Sequence, residues 1–181
     1  MRKLLIIVCL LGTVSIAFGQ KKKKNKKPEN AVAAFTTDSI DYKEVGAPMP
    51  PIRVLTPKKA FVTSKDLEND ANLFVMMFNP TCGHCQEMTE ALGKNVALFK
   101  RSKVIMIASP NQEPLLDFFE NTTHVSKYHP TFQYGLDSSD FILKTFRYQS
   151  LPQINVYDKD RKLIKIVNGE NTVESLREYI E

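Results

Sequence analysis

The sequence has no tryptophan, only seven glycines and only three cysteines among 181 residues. Three cysteines cannot build the bridge network of a disulfide-stapled secreted domain, which shows four or more at wide spacings. Two of them, Cys82 and Cys85, are separated by just two residues. A bridge between them closes a tiny loop and removes little freedom from the unfolded chain, so stapling explains the pair poorly. No apolar run reaches the roughly 20 residues that span a bilayer as a helix; Leu4–Phe18 covers fifteen. A basic surface interleaved with aromatics is also missing from the body of the chain, which argues against nucleic-acid recognition. No internal repeat is visible.

What is present starts at the N-terminus. Arg2 and Lys3 precede the apolar run, and Ala17-Phe18-Gly19 closes it with small residues at the positions a signal peptidase reads. Residues 1–19 are therefore expected to be a cleaved secretory signal. Residues 21–27, KKKKNKK, put six lysines directly behind it. Such charge resists translocation and would also suit an inverted anchor, but a solvated tail after cleavage is the expected state. Cys9 follows Ile6-Ile7-Val8, with no small residue beside it, so it is read as leaving with the signal rather than as a lipidation site. Eight of the 25 basic residues, and none of the 20 acidic ones, lie in the first 27 positions. The formal charge of +5 thus belongs to the tail, while the remainder carries 17 basic against 20 acidic residues, a net of −3. The tail could make weak contact with anionic lipid.

Residues 20–44 read as a lysine-rich flexible lead-in and residues 45–181 as the folded domain. Pro48, Pro50 and Pro51 give an extended entry to a strand at Ile52–Leu55, and a short helix capped by Ser64 follows over Ser64–Asn69. Leu73–Phe78 (LFVMMF) and Val104–Ala108 (VIMIA) are apolar runs of strand length, the pattern of strands buried on both faces. Between them, Cys85, Met88, Leu92, Val96 and Phe99 recur at helical spacing, predicting a helix to about Arg101. A helix near Pro114–Asn121 has Leu115, Leu116, Phe118 and Phe119 on its apolar side, and another runs from a Ser138 cap through Tyr148. Ile154–Tyr157 and Leu163–Val167 form a hairpin around Asp158–Lys162. Asn171 with Glu174 caps a last helix, with Val173, Leu176 and Ile180 turned inward. This alternation calls for an α/β fold, a mixed sheet with helices on both faces.

The cysteines sit where a buried strand ends and a helix begins, the edge at which open α/β sheets place their sites. Unpaired N–H groups and the helix dipole there favour thiolate, the nucleophilic form. Cys82 at the helix start is the candidate attacking sulfur, and Cys85, one turn in, the resolving one. Gly83 is read as allowing a tight turn and leaving room for a partner chain, and a protonated His84 as a second positive neighbour. A c-type haem site needs His after the second cysteine, where Gln86 stands. Zinc needs two further ligands, and only His124 and His129 remain, which read as surface-loop residues. A peroxidase would need a hydroxyl residue three before the reactive cysteine, where Asn79 stands. In Ser150-Leu151-Pro152-Gln153-Ile154, a proline directly precedes a buried strand. It is either an ordinary trans proline at a strand start or the cis bond of a sharp loop, and a loop facing Cys82 would leave Leu151 free to pair with an extended substrate.

Together these elements resemble the thioredoxin-like superfamily, and within it the exported TlpA/ResA-like redoxins. The resemblance covers 45–181: strand, Cys82-x-x-Cys85, long helix, strand, Leu151-Pro152, hairpin, terminal helix. It implies a three-layer α/β/α sandwich, a cis-proline at Pro152, a nucleophile at Cys82, a resolving thiol at Cys85 and a redox-active Cys82–Cys85 disulfide, with no cofactor. Gly83-His84 looks like the dipeptide of protein disulfide isomerases, but Tyr179-Ile180-Glu181 is no endoplasmic-reticulum retention signal, so the periplasm of a Gram-negative bacterium fits better. Three positions depart from the family. Thr81 stands where tryptophan usually precedes the first cysteine, Met76 where thioredoxins bury an acid, and Met88 where TlpA-like proteins carry an acid. Glu87 is then a candidate for proton handling, or simply a solvated helix charge.

The expected partners are protein thiols and disulfides. On direction the signals conflict: His84 would favour an oxidising couple, whereas the resemblance implies a reductase fed by a membrane electron donor. The reading leans to reductase or general interchange. A rival class is a copper-handling protein using Cys82, Cys85 and a histidine as ligands, which predicts stoichiometric Cu(I) uptake and little disulfide reduction. A third is an adhesion module, which would tolerate loss of both cysteines.

Overall fold

A computed structural model describes residues 40–146 and 148–181. The expected signal segment and nearly all of the lead-in lie outside the described residues. Seven strands form one sheet: β1 (Arg53–Leu55), β2 (Phe61–Thr63), β3 (Leu73–Met77), β4 (Lys103–Ala108), β5 (Phe132–Asp137), β6 (Gln153–Tyr157) and β7 (Leu163–Asn168), in the order β2-β1-β5-β4-β3-β6-β7. β3, β4 and β5 run parallel, while β1, β2, β6 and β7 join antiparallel, so the sheet is mixed. Every residue of β3 and of β6 is buried, as strands covered on both faces require.

Two apolar clusters occupy the two faces. The first packs Phe74, Met76, Phe78 and Ile154 against α1 (Gly83–Lys94) and α2 (Leu116–Thr123). The second packs Val75, Met77, Ile105 and Tyr157 against Leu67 and against Phe141, Ile142 and Phe146 of a π-type helix at Phe141–Phe146. Helical layers on both faces make a three-layer sandwich. Tyr42, within the expected lead-in, packs partly buried against the second cluster.

Several local expectations change. The helix carrying the cysteines stops at Lys94, and a short 3-10 turn at Val96–Leu98 takes the chain on. Pro114 lies in a 3-10 helix, Pro110–Leu115, ahead of α2 rather than opening it. The turn at Ser64–Leu67 is capped by Thr63, whose N–H and hydroxyl both donate to Asp66 Oδ2, while Ser64 Oγ accepts the Ile52 N–H at 2.8 Å. Ser138 is not a cap: the buried Asp137 carboxylate receives Ser139 N–H at 2.9 Å and Ile142 N–H at 2.8 Å. The last element, Val173–Tyr179, is a 3-10 helix begun by Thr172, since the Asn171 amide donates backwards to Asn168 O at 2.8 Å. Leu176 is fully buried there, with Val173 and Ile180 partly so.

Strand β5 has no counterpart in the sequence reading. Its sequence, FQYGLD, carries Gln133, Gly135 and Asp137 where a buried strand would be expected to be apolar. Tertiary packing explains the glycine, because a Cβ at Gly135 would stand 2.3 Å from the Leu55 carbonyl of β1.

Candidate active site

The site lies where β3 gives way to α1. Cys82 is the N-cap of α1, with extended backbone at φ −79° and ψ 116°. Its Sγ accepts the Cys85 N–H at 3.3 Å, and its carbonyl accepts the Cys85 and Gln86 N–H groups at 3.1 Å each. An N-cap oxygen would do the same for a helix's orphan donors; here the acceptor is sulfur. Cys82 is half-buried, Cys85 is completely buried, and both are free thiols. Burial pushes the Cys85 thiol well up from its ordinary value, and its hydrogen bond to Cys82 adds to that, whereas the Asn79 backbone N–H acts the other way.

The approach loop is tied by its own hydrogen bonds. Asn79 Oδ1 accepts both the N–H and the hydroxyl of Thr81 at 2.9 Å, and Asn79 O accepts the Cys82 N–H at 3.0 Å. Gln86 Nε2 donates to Pro80 O at 2.8 Å. Sequence reasoning did not assign Asn79 or Gln86 a role at this site. Asn-Pro-Thr before the first cysteine was the available signal, since asparagine readily bonds the backbone two residues on.

Gly83 departs from its expected role. Its φ is not in the left-handed region and a Cβ there would meet nothing within 4 Å. No tight turn demands glycine, although the space in front of it is open. His84 is exposed, with Nδ1 3.4 Å from Glu87 Oε2. Both line a groove that also includes Ala91, Asn95 and the segment from Glu170 to Val173. Glu87 points into solvent rather than toward the buried thiol, its side chain being 76% exposed. Met76 and Met88 are both buried in the cluster that contains Cys85. His124 and His129 are exposed, and among the described residues no three His, Cys, Asp or Glu side chains converge on a metal position.

Pro152 is buried and the Leu151–Pro152 peptide is cis, the sharper of the two geometries left open by the sequence. A second cis bond joins His129 to Pro130. The antiparallel register pairs Met77 with Gln153, so Pro152 stands at the end of the sheet where β3 turns into the cysteine loop. Leu151 is half-buried against both clusters and lies outside the ladder, which begins at Gln153. The topology thus brings Cys82, Cys85, Leu151 and Pro152 to one edge of the sheet.

No family model matches the chain. Two curated proteins, the thiol-disulfide oxidoreductases ResA of Bacillus thuringiensis subsp. konkukian and of Bacillus cereus, are each 25% identical over 138 residues, covering 76% of this chain and 78% of their own. Among solved structures, the thioredoxin domain of thiol-disulfide oxidoreductase BVU-2223 from Bacteroides vulgatus superposes with a TM-score of 0.63 at 16% identity, covering 76% of this chain and 99% of that one. StoA from Bacillus subtilis gives 0.57 at 14% identity, covering 72% and 96%. Strand order and likeness to these solved structures agree on a thioredoxin-like fold, and in sequence the chain is similar to the ResA thiol-disulfide oxidoreductases.

Proposed function

We propose that the chain is an exported thiol–disulfide oxidoreductase acting on protein disulfides, with Cys82 attacking and Cys85 resolving. The observation that carries this reading is the unequal setting of the two sulfurs. Cys82 is reachable and receives an amide at the start of α1, while Cys85 lies fully buried one turn inward. In the first half-reaction the Cys82 thiolate attacks a substrate disulfide, forming a mixed disulfide and releasing one substrate thiolate. In the second, Cys85 loses its proton and its sulfur attacks Cys82 Sγ. The Cys82–Cys85 bond forms, the bond to substrate breaks, and the departing thiolate takes up a proton. The substrate gains two electrons and the pair loses two.

Open space before Gly83 and the place of Leu151 outside the ladder that begins at Gln153 support an extended substrate segment lying against Leu151. A protonated His84 would add positive charge near Cys82. Export to a periplasm rests on the signal-like residues 1–19. Among the described residues no helix is long and apolar enough to cross a membrane. Working as a reductase, the couple needs a supply of two electrons per turnover, which a membrane-borne dithiol protein would provide.

Equilibration of the full chain with glutathione buffers tests the direction. A potential near that of thioredoxin, about −270 mV, is the expected result, and one near that of DsbA, about −120 mV, rules out a reductase. Cys82→Ser should abolish insulin reduction, and Cys85→Ser should instead hold substrate as a mixed disulfide visible by mass spectrometry. If both variants reduce insulin like the wild type, the pair is not the reactive centre.

A further inference from the structure

Strand β5 has a neighbour along most of its length on one side and for only two residues on the other. β4 runs beside it from Phe132 to Leu136, whereas β1 pairs only Leu55 with Leu136 and Val54 with Asp137. The Val104 N–H donates to Thr131 O at 2.9 Å, so in this parallel register the main-chain groups of Thr131 and Gln133 face β4. Those of Phe132 and Tyr134 therefore face the other way, as those of Leu136 do toward β1. The Ser138 N–H donates to Arg53 O at 2.8 Å, which makes Arg53–Ser138 and then Leu55–Leu136 the hydrogen-bonded positions between β1 and β5. Two residues further on, Pro57 would stand opposite Tyr134. Proline has no N–H to give. The chain has already turned back on itself there, with the Thr56 N–H on Ala60 O and the Lys59 N–H on Thr56 O, both at 2.9 Å. Among the described residues no strand pairs with Phe132–Tyr134 on that side.

Beside this open edge lies a cavity of about 200 Å³, with Pro57 and Val62 on the hairpin side and Phe132 and Tyr134 on the other. Lys58 and His129 line it too, both exposed, and no carboxylate does. Unpaired main-chain groups beside apolar walls are what an added strand uses, since ladder bonds supply affinity and pockets take alternate side chains. A compact apolar ligand would leave those main-chain groups unanswered. We propose that this edge docks an extended segment of a partner protein, which joins the sheet as a strand beside Phe132–Tyr134 and sets a carboxylate side chain against Lys58. Phe132 lies opposite Val104 and, through it, level with Phe74 near the start of β3, whereas the cysteines follow the other end of β3. The docked segment leaves the cysteine edge uncovered, and the inference stands apart from the reaction proposed above.

The test is amide hydrogen exchange by NMR on the isotope-labelled full chain, alone and with the synthetic hexapeptide acetyl-Val-Thr-Val-Glu-Val-Thr-amide. In the free chain the Phe132 and Tyr134 amides should exchange faster than that of Gln133, which β4 holds, and the peptide should slow both. Only every second N–H of an added strand faces its neighbour. Of two versions N-methylated at alternate residues, one at the valines and one at the other three, one should therefore bind about thirtyfold more weakly than the parent, the effect of losing two ladder hydrogen bonds. Replacing the peptide's glutamate by lysine should weaken binding about threefold, as expected of an exposed ion pair, and Lys58→Glu should reverse that order. Phe132 and Tyr134 amides as protected as Gln133 in the free chain, or not slowed by the peptide, overturn the proposal. So does equal binding of both N-methylated versions and the parent, which would assign the cavity to a compact apolar ligand. Equal binding of the glutamate and lysine peptides, or a glutamate preference that survives Lys58→Glu, also overturns it. Protection that grows with protein concentration in the absence of peptide would give the edge to a second copy of the chain and overturn it as well.

Discussion

Cys82 is half-buried and Cys85 fully buried, and the chemistry proposed for the site follows from that difference. Cys82, at the start of α1, can meet a partner; Cys85 is sealed beneath it among Phe78, Met88 and Met106. A thiol kept neutral by burial also makes stability depend on pH. The Cys85 pKa is raised in the folded state, so its contribution to stability is complete below the unfolded thiol range, about 8.5. Above that the unfolded chain ionises first and binds fewer protons than the folded one, so stability falls as pH rises. Tyr134, raised chiefly by burial and further by Glu120, adds in the same direction above about 10. Urea denaturation of the reduced chain at pH 7.0 and about 9.5 should therefore give lower stability at the higher pH. The same comparison in Cys85→Ala should show a shallower decline. An equal decline in both would mean that the buried thiol is not the group responsible.

At the scale of single elements, two glycines make opposite demands. Gly135 lies in β5 with the Leu55 carbonyl where its Cβ would be, and a backbone carbonyl held in a sheet cannot step aside. Gly135→Ala should cost about 1–3 kcal/mol, the range for forcing extra atoms into a packed interior. Gly83→Ala meets open space at the first position of α1 and should change stability by less than about 0.5 kcal/mol. Urea midpoints of the two variants decide this, and a Gly83→Ala loss as large as that of Gly135→Ala would contradict the geometry. A Gly83→Ala chain of full stability but slower insulin reduction would locate the need for glycine in the approach of a partner.

Across the whole molecule, the last helical turn closes the same core that holds Cys85. Leu176 is fully buried in the cluster containing Cys85, and the Glu181 carbonyl accepts N–H groups from Arg101 at 2.9 Å and Ser102 at 3.2 Å. Folding free energies of domains are about 5–15 kcal/mol. Leu176→Ala should cost about 2–5 kcal/mol, a large share of that total, and lower the Tm in a thermal scan. Loss of the closing turn should also admit water to Cys85, read as faster alkylation of that thiol in the variant. Unchanged protection of Cys85 would show that α1 alone seals it.

Local pattern was enough for what depends on neighbours in the chain. The unbroken apolar runs marked β3 and β4, the cysteine pair declared itself at a strand–helix junction, and the polar Asp158–Lys162 turn marked the hairpin. Each of these signals lies within a dozen residues, where burial on both faces or a turn leaves a direct imprint on residue type. What remained hidden involves partners far apart in the chain. β5 looks too polar until Leu55, some eighty positions earlier, supplies the carbonyl that makes Gly135 necessary and Asp137 turns out to cap the following helix. The proline had two readings until β6 was laid against β3 with Gln153 opposite Met77, bringing Pro152 to the cysteine edge. Composition and spacing therefore picked out the two candidate sulfurs, because a cysteine pair at a helix start is a local feature of the chain. Only the assembled sheet decided what surrounds them, because burial and hydrogen-bond partners are set by contacts that no short stretch of sequence contains.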